Sequence, residues 1–199
     1  MVEKLRIFIS RLFALAMAAM LLVSSSALQE KLPLFGAFLF FVGIALVAVA
    51  CIGRLWCSLY IAGYKTNTLI DQGPYSMCRN PLYFFSLLGA VGIGLTTETM
   101  LIPTIILIAF WAYYPLVIKS EERELLALHG DRFSAYRMRV PCFLPAISRL
   151  VEPEKYMVNP RVFRRHMADV IWFILIVGLL EIIKELHALN ILPTLFNMY

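Results

Sequence analysis

Apolar residues in this chain gather into long runs broken by short polar stretches. Runs of that kind suit membrane crossing, since an α-helix needs about 20 apolar residues to span a hydrocarbon layer of roughly 30 Å. Four are long enough, at residues 7–28, 33–53, 81–97 and 100–118, the third being the shortest. A further apolar core at 170–180, inside the stretch 168–192, is followed by Glu181, Lys184 and Glu185. That segment either spans, with its charges paired inside the protein, or lies in the membrane interface. Glu181 and Lys184 stand three apart, a spacing that lets them pair on one helical face. Residues 96–100, Thr-Thr-Glu-Thr-Met, leave room only for a tight turn, so the runs on either side form a helical hairpin. The pattern predicts an all-α fold: a polytopic membrane helix bundle of four transmembrane helices, with a fifth C-terminal helix that spans or lies in the interface.

The polar stretches carry their own structure. Residues 54–80 connect two runs and are expected to extend the second helix through Arg54, Trp56 and Tyr60 before a break near Gly63. Asn80 is a suitable N-cap, and Pro81 fits the first helical position, where a missing N–H is harmless. A helix N-terminus with Arg79 beside it favours a bound carboxylate or phosphate. Residues 119–145 read as a polar helix with leucines at 125, 126 and 128, interrupted by Gly130, resumed to Tyr136 and ended by Pro141. Glu121 and Glu122 then lie just outside the bilayer, within reach of residues 73–83.

Composition agrees with the pattern, at 61% hydrophobic residues and a mean hydropathy of +0.78. This is the range of an integral membrane protein. Lys4, Arg6, Arg11, Arg54, Lys65, Arg79 and ten basic residues from Lys119 to Arg165 fall on one side, against Lys31 on the other. The positive-inside rule makes that side the cytoplasm, with the N-terminus and the polar blocks on it. The net charge of +5 therefore belongs with anionic head groups and gives no reason to expect nucleic acid. The first run, with basic residues ahead of it and Ser25-Ser26-Ala27 behind, also has the look of a secretory signal peptide; the second run follows so closely that a retained span is the expectation. Cysteines at 51, 57, 78 and 142 and histidines at 129, 166 and 187 show no metal-ligand or disulfide spacing.

Two blocks, GPYSMCRNPLY at 73–83 and EERELLALHGDRFSAYRMRVPCFLP at 121–145, stand on either side of the hairpin. Together they resemble the integral-membrane isoprenylcysteine carboxyl methyltransferase family, which takes in phospholipid methyltransferases. Gly73, Tyr75, Arg79, Pro81 and Tyr83 carry the first match, and Glu121, Glu122, Leu125, Gly130, Tyr136, Val140 and Pro141 the second. Asn80 stands where many members have His, His129 where they have Phe, Phe133 where they have Tyr, and Cys142 where Arg is common. Asn80 keeps a hydrogen-bonding side chain but cannot carry the charge of an imidazolium. The likeness covers residues 50–145, which sets a methyltransferase-like domain at 1–145 and a C-terminal extension at 146–199.

The resemblance implies S-adenosylmethionine as cofactor, held at the cytoplasmic ends of the helices by Tyr75, Arg79, Asn80, Pro81, Tyr83, Glu121 and Glu122. It also implies that Arg54 holds the carboxylate of a methyl acceptor, although an arginine at that boundary is equally a snorkelling anchor. Methyl transfer from a sulfonium is an in-line displacement, and an ionised carboxylate acceptor needs no general base; positioning and exclusion of water suffice. The expected activity is methylation of a lipophilic or small acceptor that carries a carboxylate. A phospholipid amine is the alternative acceptor, and an NADPH-dependent membrane reductase or a non-catalytic membrane scaffold the alternatives of other classes. No glycine-rich dinucleotide fingerprint is present, which excludes a Rossmann-type methyltransferase.

Overall fold

The computed structural model of the chain describes residues 12, 15–64 and 68–199. Residues 15–22 are helical and turn into a short strand, β1 (Ser24–Ser26), then a single helical turn at Ala27–Lys31. Four longer helices follow: α1 (Pro33–Ile61), α2 (Pro81–Thr96), α3 (Leu101–Arg139) and α4 (Pro160–Ala188). Proline opens α1, α2 and α4, where its fixed φ suits the first turn and its missing N–H goes unneeded. Asn159 caps α4, its Oδ1 accepting from the N–H groups of Arg161 at 3.1 Å and Val162 at 3.3 Å.

The most extensive helix pairing is α1 with α2. A Cβ at Gly43 would sit 2.7 Å from the carbonyl oxygen of Gly92, and one at Gly92 2.8 Å from that of Gly43. The two backbones thus touch directly, the close approach that small residues permit between helices in lipid. α4 packs against both α1 and α2, leaving Trp172, Ile174 and Leu175 exposed as a face suited to lipid.

The two ends of α2 are anchored differently. At its far end, Glu98 is buried in the turn to α3 with φ 57°, and its carboxylate meets Lys184 Nζ at 2.9 Å. Lys184 also meets Glu181 at 2.6 Å. Around this cluster β1 pairs in parallel with β2 (Phe196–Met198), Ser24 opposite Phe196 and Ser26 opposite Met198, a small strand pair that the all-α expectation did not contain. At the near end, Leu69, Phe133, Tyr136 and Val140 form a compact core under the last turns of α3, which breaks at Gly130 and stops at Arg139 ahead of Pro141, close to the expected interruption.

Among the described residues three helices, α1, α3 and α4, are long and apolar enough to cross a membrane, fewer than the four or five expected. The difference has physical reasons. α2 has 16 residues and is therefore roughly 24 Å long, short of a hydrocarbon layer of about 30 Å. Residues 7–11, 13 and 14 of the expected span 7–28 lie outside the described residues, and its described helix ends at residue 22, ahead of β1. The C-terminal segment forms a 29-residue helix, because Glu181 and Lys184 are compensated by one another and by Glu98. The chain is a membrane protein by these helices.

Candidate active site

Residues 68–80 form the floor of the site. Gly73 turns the chain with φ 57° and ψ −134°, a left-handed conformation, and lies against the Tyr60 ring so closely that a Cβ would come within 2.3 Å of Tyr60 Cζ. The following turn, Pro74–Met77, is tied down by Ser76, whose Oγ donates to Gly73 O at 2.7 Å and accepts from Val151 N at 2.9 Å. Arg79 N then donates to Pro141 O at 2.8 Å, so the start of α2 is bonded to the end of α3.

The two sequence blocks meet through paired side chains. Arg79 Nε contacts Glu122 Oε1 at 2.7 Å, with both side chains mostly covered at 12% and 16% exposure. Its Nη1 donates to the carbonyls of Arg137 at 2.9 Å and Val140 at 2.7 Å, the unpaired acceptors at a helix C-terminus. Tyr83 Oη donates to Glu121 Oε1 at 2.5 Å. Pro81 takes the first position of α2 as expected. Asn80 does not cap with its side chain; its Nδ2 instead donates to the carbonyl of Cys142 at 3.0 Å, reaching the residue that departs from the family pattern. Glu122 and burial together push the Cys142 thiol up, burial being the larger effect, and the buried Cys78 thiol is pushed up to about 12.

Aromatic rings line the same region. The Tyr114 ring stands edge-on to Tyr83 at 5.1 Å and stacks on Phe110 at 4.2 Å, and Phe143 folds back onto Phe110 at 5.4 Å. Tyr75 is half-buried as a residue, yet burial around its hydroxyl lifts its ionisation well above the usual tyrosine range. Its carbonyl accepts from Tyr136 Oη at 2.8 Å.

Arg54, on α1, meets α2 one helical turn along from Tyr83. It donates through Nη1 to Ser86 Oγ, and its Nε is buried without a hydrogen-bond partner. Its Cζ sits 5.3 Å from the centre of the Phe173 ring on α4. Because Tyr83 and Ser86 are three apart on one helix, Arg54 and the Tyr83–Glu121 pair share a face of α2. Arg54 as a whole is half-buried between apolar helices, and an open N–H in such a place is suited to an anion.

The structure therefore brings Arg79, Asn80, Pro81, Tyr83, Glu121 and Glu122 together at the α2–α3 junction, with Arg54 on its α1 side and Tyr75 in the floor. Sequence reading passed over Tyr114, Ser86 and Phe173, which sit in uniformly apolar runs with no local signal. Cys142 stood out only as a departure.

The residues fit an adenosyl cofactor in kind. Glu121 and Glu122 suit an ammonium or ribose hydroxyls, and Tyr83 with Tyr114 offers aromatic faces suited to a sulfonium or a purine. Arg79 is committed to Glu122 and two carbonyls by Nε and Nη1.

The profile of the phospholipid methyltransferase family matches residues 33–132, just over half of the chain. The chain is 39% identical over 156 residues to the cobalt-zinc-cadmium resistance protein CzcN of Cupriavidus metallidurans, covering 78% of this chain and 72% of that one. It is 43% identical over 138 residues to the nickel-cobalt-cadmium resistance protein NccN of Alcaligenes xylosoxydans xylosoxydans, covering 69% of this chain and a little under two thirds, 64%, of the relative. A shorter match, 26% identity over 83 residues, covers 42% of this chain and 35% of the protein-S-isoprenylcysteine O-methyltransferase of Schizosaccharomyces pombe. No solved structure matches the chain significantly. A family profile laid over α1, α2 and most of α3, the helices that build the site, places this chain in the phospholipid methyltransferase family.

Proposed function

We propose that the protein is an S-adenosylmethionine-dependent methyltransferase whose acceptor is lipophilic or small and carries an anionic group, a carboxylate in the first instance. The observation that carries this reading is the junction itself: Tyr83 on Glu121 and Arg79 on Glu122 join the two family blocks. Beside them Arg54 holds a buried N–H without a partner. When bound, the cofactor supplies a methyl group on a sulfonium, with no need for a metal or a redox partner. The chain's own contribution is positional. Glu121, Glu122, Tyr83 and Tyr114 hold the cofactor from the cytoplasmic side, and Arg54 orients the acceptor anion from the bilayer side. Such an anion needs no base, so holding two groups in line and excluding water accounts for the rate. A phospholipid amine would first have to lose a proton, and both candidate carboxylates at the junction already accept from Tyr83 or Arg79.

The test is transfer of labelled methyl from S-adenosylmethionine in proteoliposomes to a panel of acceptors: a prenylated cysteine carboxylate, a small thiol, a fatty acid and phosphatidylethanolamine. Label in a carboxylate or thiol product supports the reading. Label in phosphatidylethanolamine alone would move the assignment to amine methylation.

A further inference from the structure

The C-terminal helix contributes a residue to the acceptor side of the site, from outside the family-matched region. Phe173 of α4 lies over the Arg54 guanidinium, 5.3 Å from Cζ to the ring centre. The same ring fills the space above Gly89 on α2, where a Cβ would stand 2.2 Å from Phe173 Cε1. Gly89 thus provides the hollow in which the ring sits. With the ring there, Arg54 Nε has neither a partner nor contact with solvent. The cation–aromatic contact favours this arrangement, whereas the unpaired buried donor opposes it. The arrangement leaves an N–H in reserve for an anion that replaces the ring.

The helix that carries the ring is lightly held at this level. Its neighbours Trp172, Ile174 and Leu175 are 64%, 61% and 53% exposed, facing the lipid side, and Val170 is the one fully buried residue of α4. The ring can swing on its own side-chain torsions without breaking a hydrogen bond.

We infer that Phe173 shields Arg54 from the bilayer and selects the acceptor: an anionic head group on a chain slender enough to take the place of one phenyl ring between α1, α2 and α4. This rests on the proposed role of Arg54 as acceptor anchor. It assigns to the C-terminal extension a part in specificity that residues 33–132 do not carry.

Accessibility of Arg54 tests this without any turnover. The full-length protein in detergent is treated with phenylglyoxal, and modification of Arg54 is followed by mass spectrometry against exposed Arg123. In the wild type Arg54 should react at least ten-fold more slowly than Arg123. Phe173→Ala should speed Arg54 ten-fold or more and leave Arg123 unchanged. Gly89→Ala, whose added Cβ pushes the ring out of its hollow, should do the same from the other helix, and so provides a second route if Phe173→Ala folds poorly. In Phe173→Ala, decanoate should then slow Arg54 modification and decanol should not. Wild-type Arg54 reacting as fast as Arg123, or no acceleration in either folded variant, would overturn the shield; equal protection by decanoate and decanol would overturn the selection of an anion. A thermal shift with S-adenosylhomocysteine, run on the same samples, reports on the methyltransferase reading separately.

Discussion

At the residue scale, the central distinction is between side chains that build the site and those that would touch a ligand. Arg79 belongs to the first group, since it joins Glu122 to the carbonyl end of α3 with three contacts. Glu122→Gln keeps an acceptor but removes the charge from a mostly covered pair. It is expected to lower stability by about 1–3 kcal/mol, read as a fall in melting temperature. Arg54 belongs to the second group. Arg54→Lys retains positive charge and loses the planar fork, so methyl transfer should fall ten-fold or more, about 1.4 kcal/mol in transition-state stabilisation. Affinity for S-adenosylhomocysteine should stay unchanged in titration of the same variant, and wild-type turnover would reduce Arg54 to an anchor at the membrane boundary. Arg79, Tyr83, Glu121 and Glu122 were legible in the sequence because polar groups are conspicuous beside apolar spans. Tyr114, Ser86 and Phe173 were not, since their neighbours are set by how three apolar helices pack, and uniform hydrophobicity carries no phase. The side chain of Asn80 was misread for a related reason: its partner is the carbonyl of Cys142, 62 residues away, and local capping rules see only the next turn.

At the element scale, helix boundaries marked by proline and glycine came through well. The starts of α1 and α2, the stop near Gly63 and the break at Gly130 all follow from backbone chemistry. Span length did not, because α2 is too short to cross alone and α4 depends on Glu98, a partner in another part of the chain. The segment between Gly73 and Asn80 also fixes a pH response. Burial raises the Cys78 thiol from 9.0 to about 12 in the fold. The folded state therefore keeps a proton that the unfolded chain loses above pH 9. Stability from this group is complete below pH 9 and declines as the pH rises towards 12, at up to about 1.4 kcal/mol per unit. Melting temperatures in detergent from pH 8 to 11 should show that decline, and Cys78→Ala should make it shallower. An identical slope in the variant would remove the thiol from the account.

At the scale of the whole molecule, the two ends of α2 divide the labour. One end holds the junction of α2 with α3 and the acceptor side at Arg54; the other is closed by Lys184, Glu98, Glu181 and the β1–β2 pair. A water-soluble cofactor and a bilayer-borne acceptor can then meet at one boundary, which is what a membrane methyltransferase requires. Relatives named for metal resistance are similar in sequence over most of the chain, and in the proposed function the transferred group remains a methyl. Cofactor choice separates a methyltransferase from a reductase, and isothermal titration of the detergent-solubilised protein reads it. S-adenosylmethionine and S-adenosylhomocysteine should each bind saturably at one site, weakened at least ten-fold by Glu121→Ala, with no heat from NADPH. Folded protein that takes up NADPH, or neither adenosyl ligand, would contradict the account.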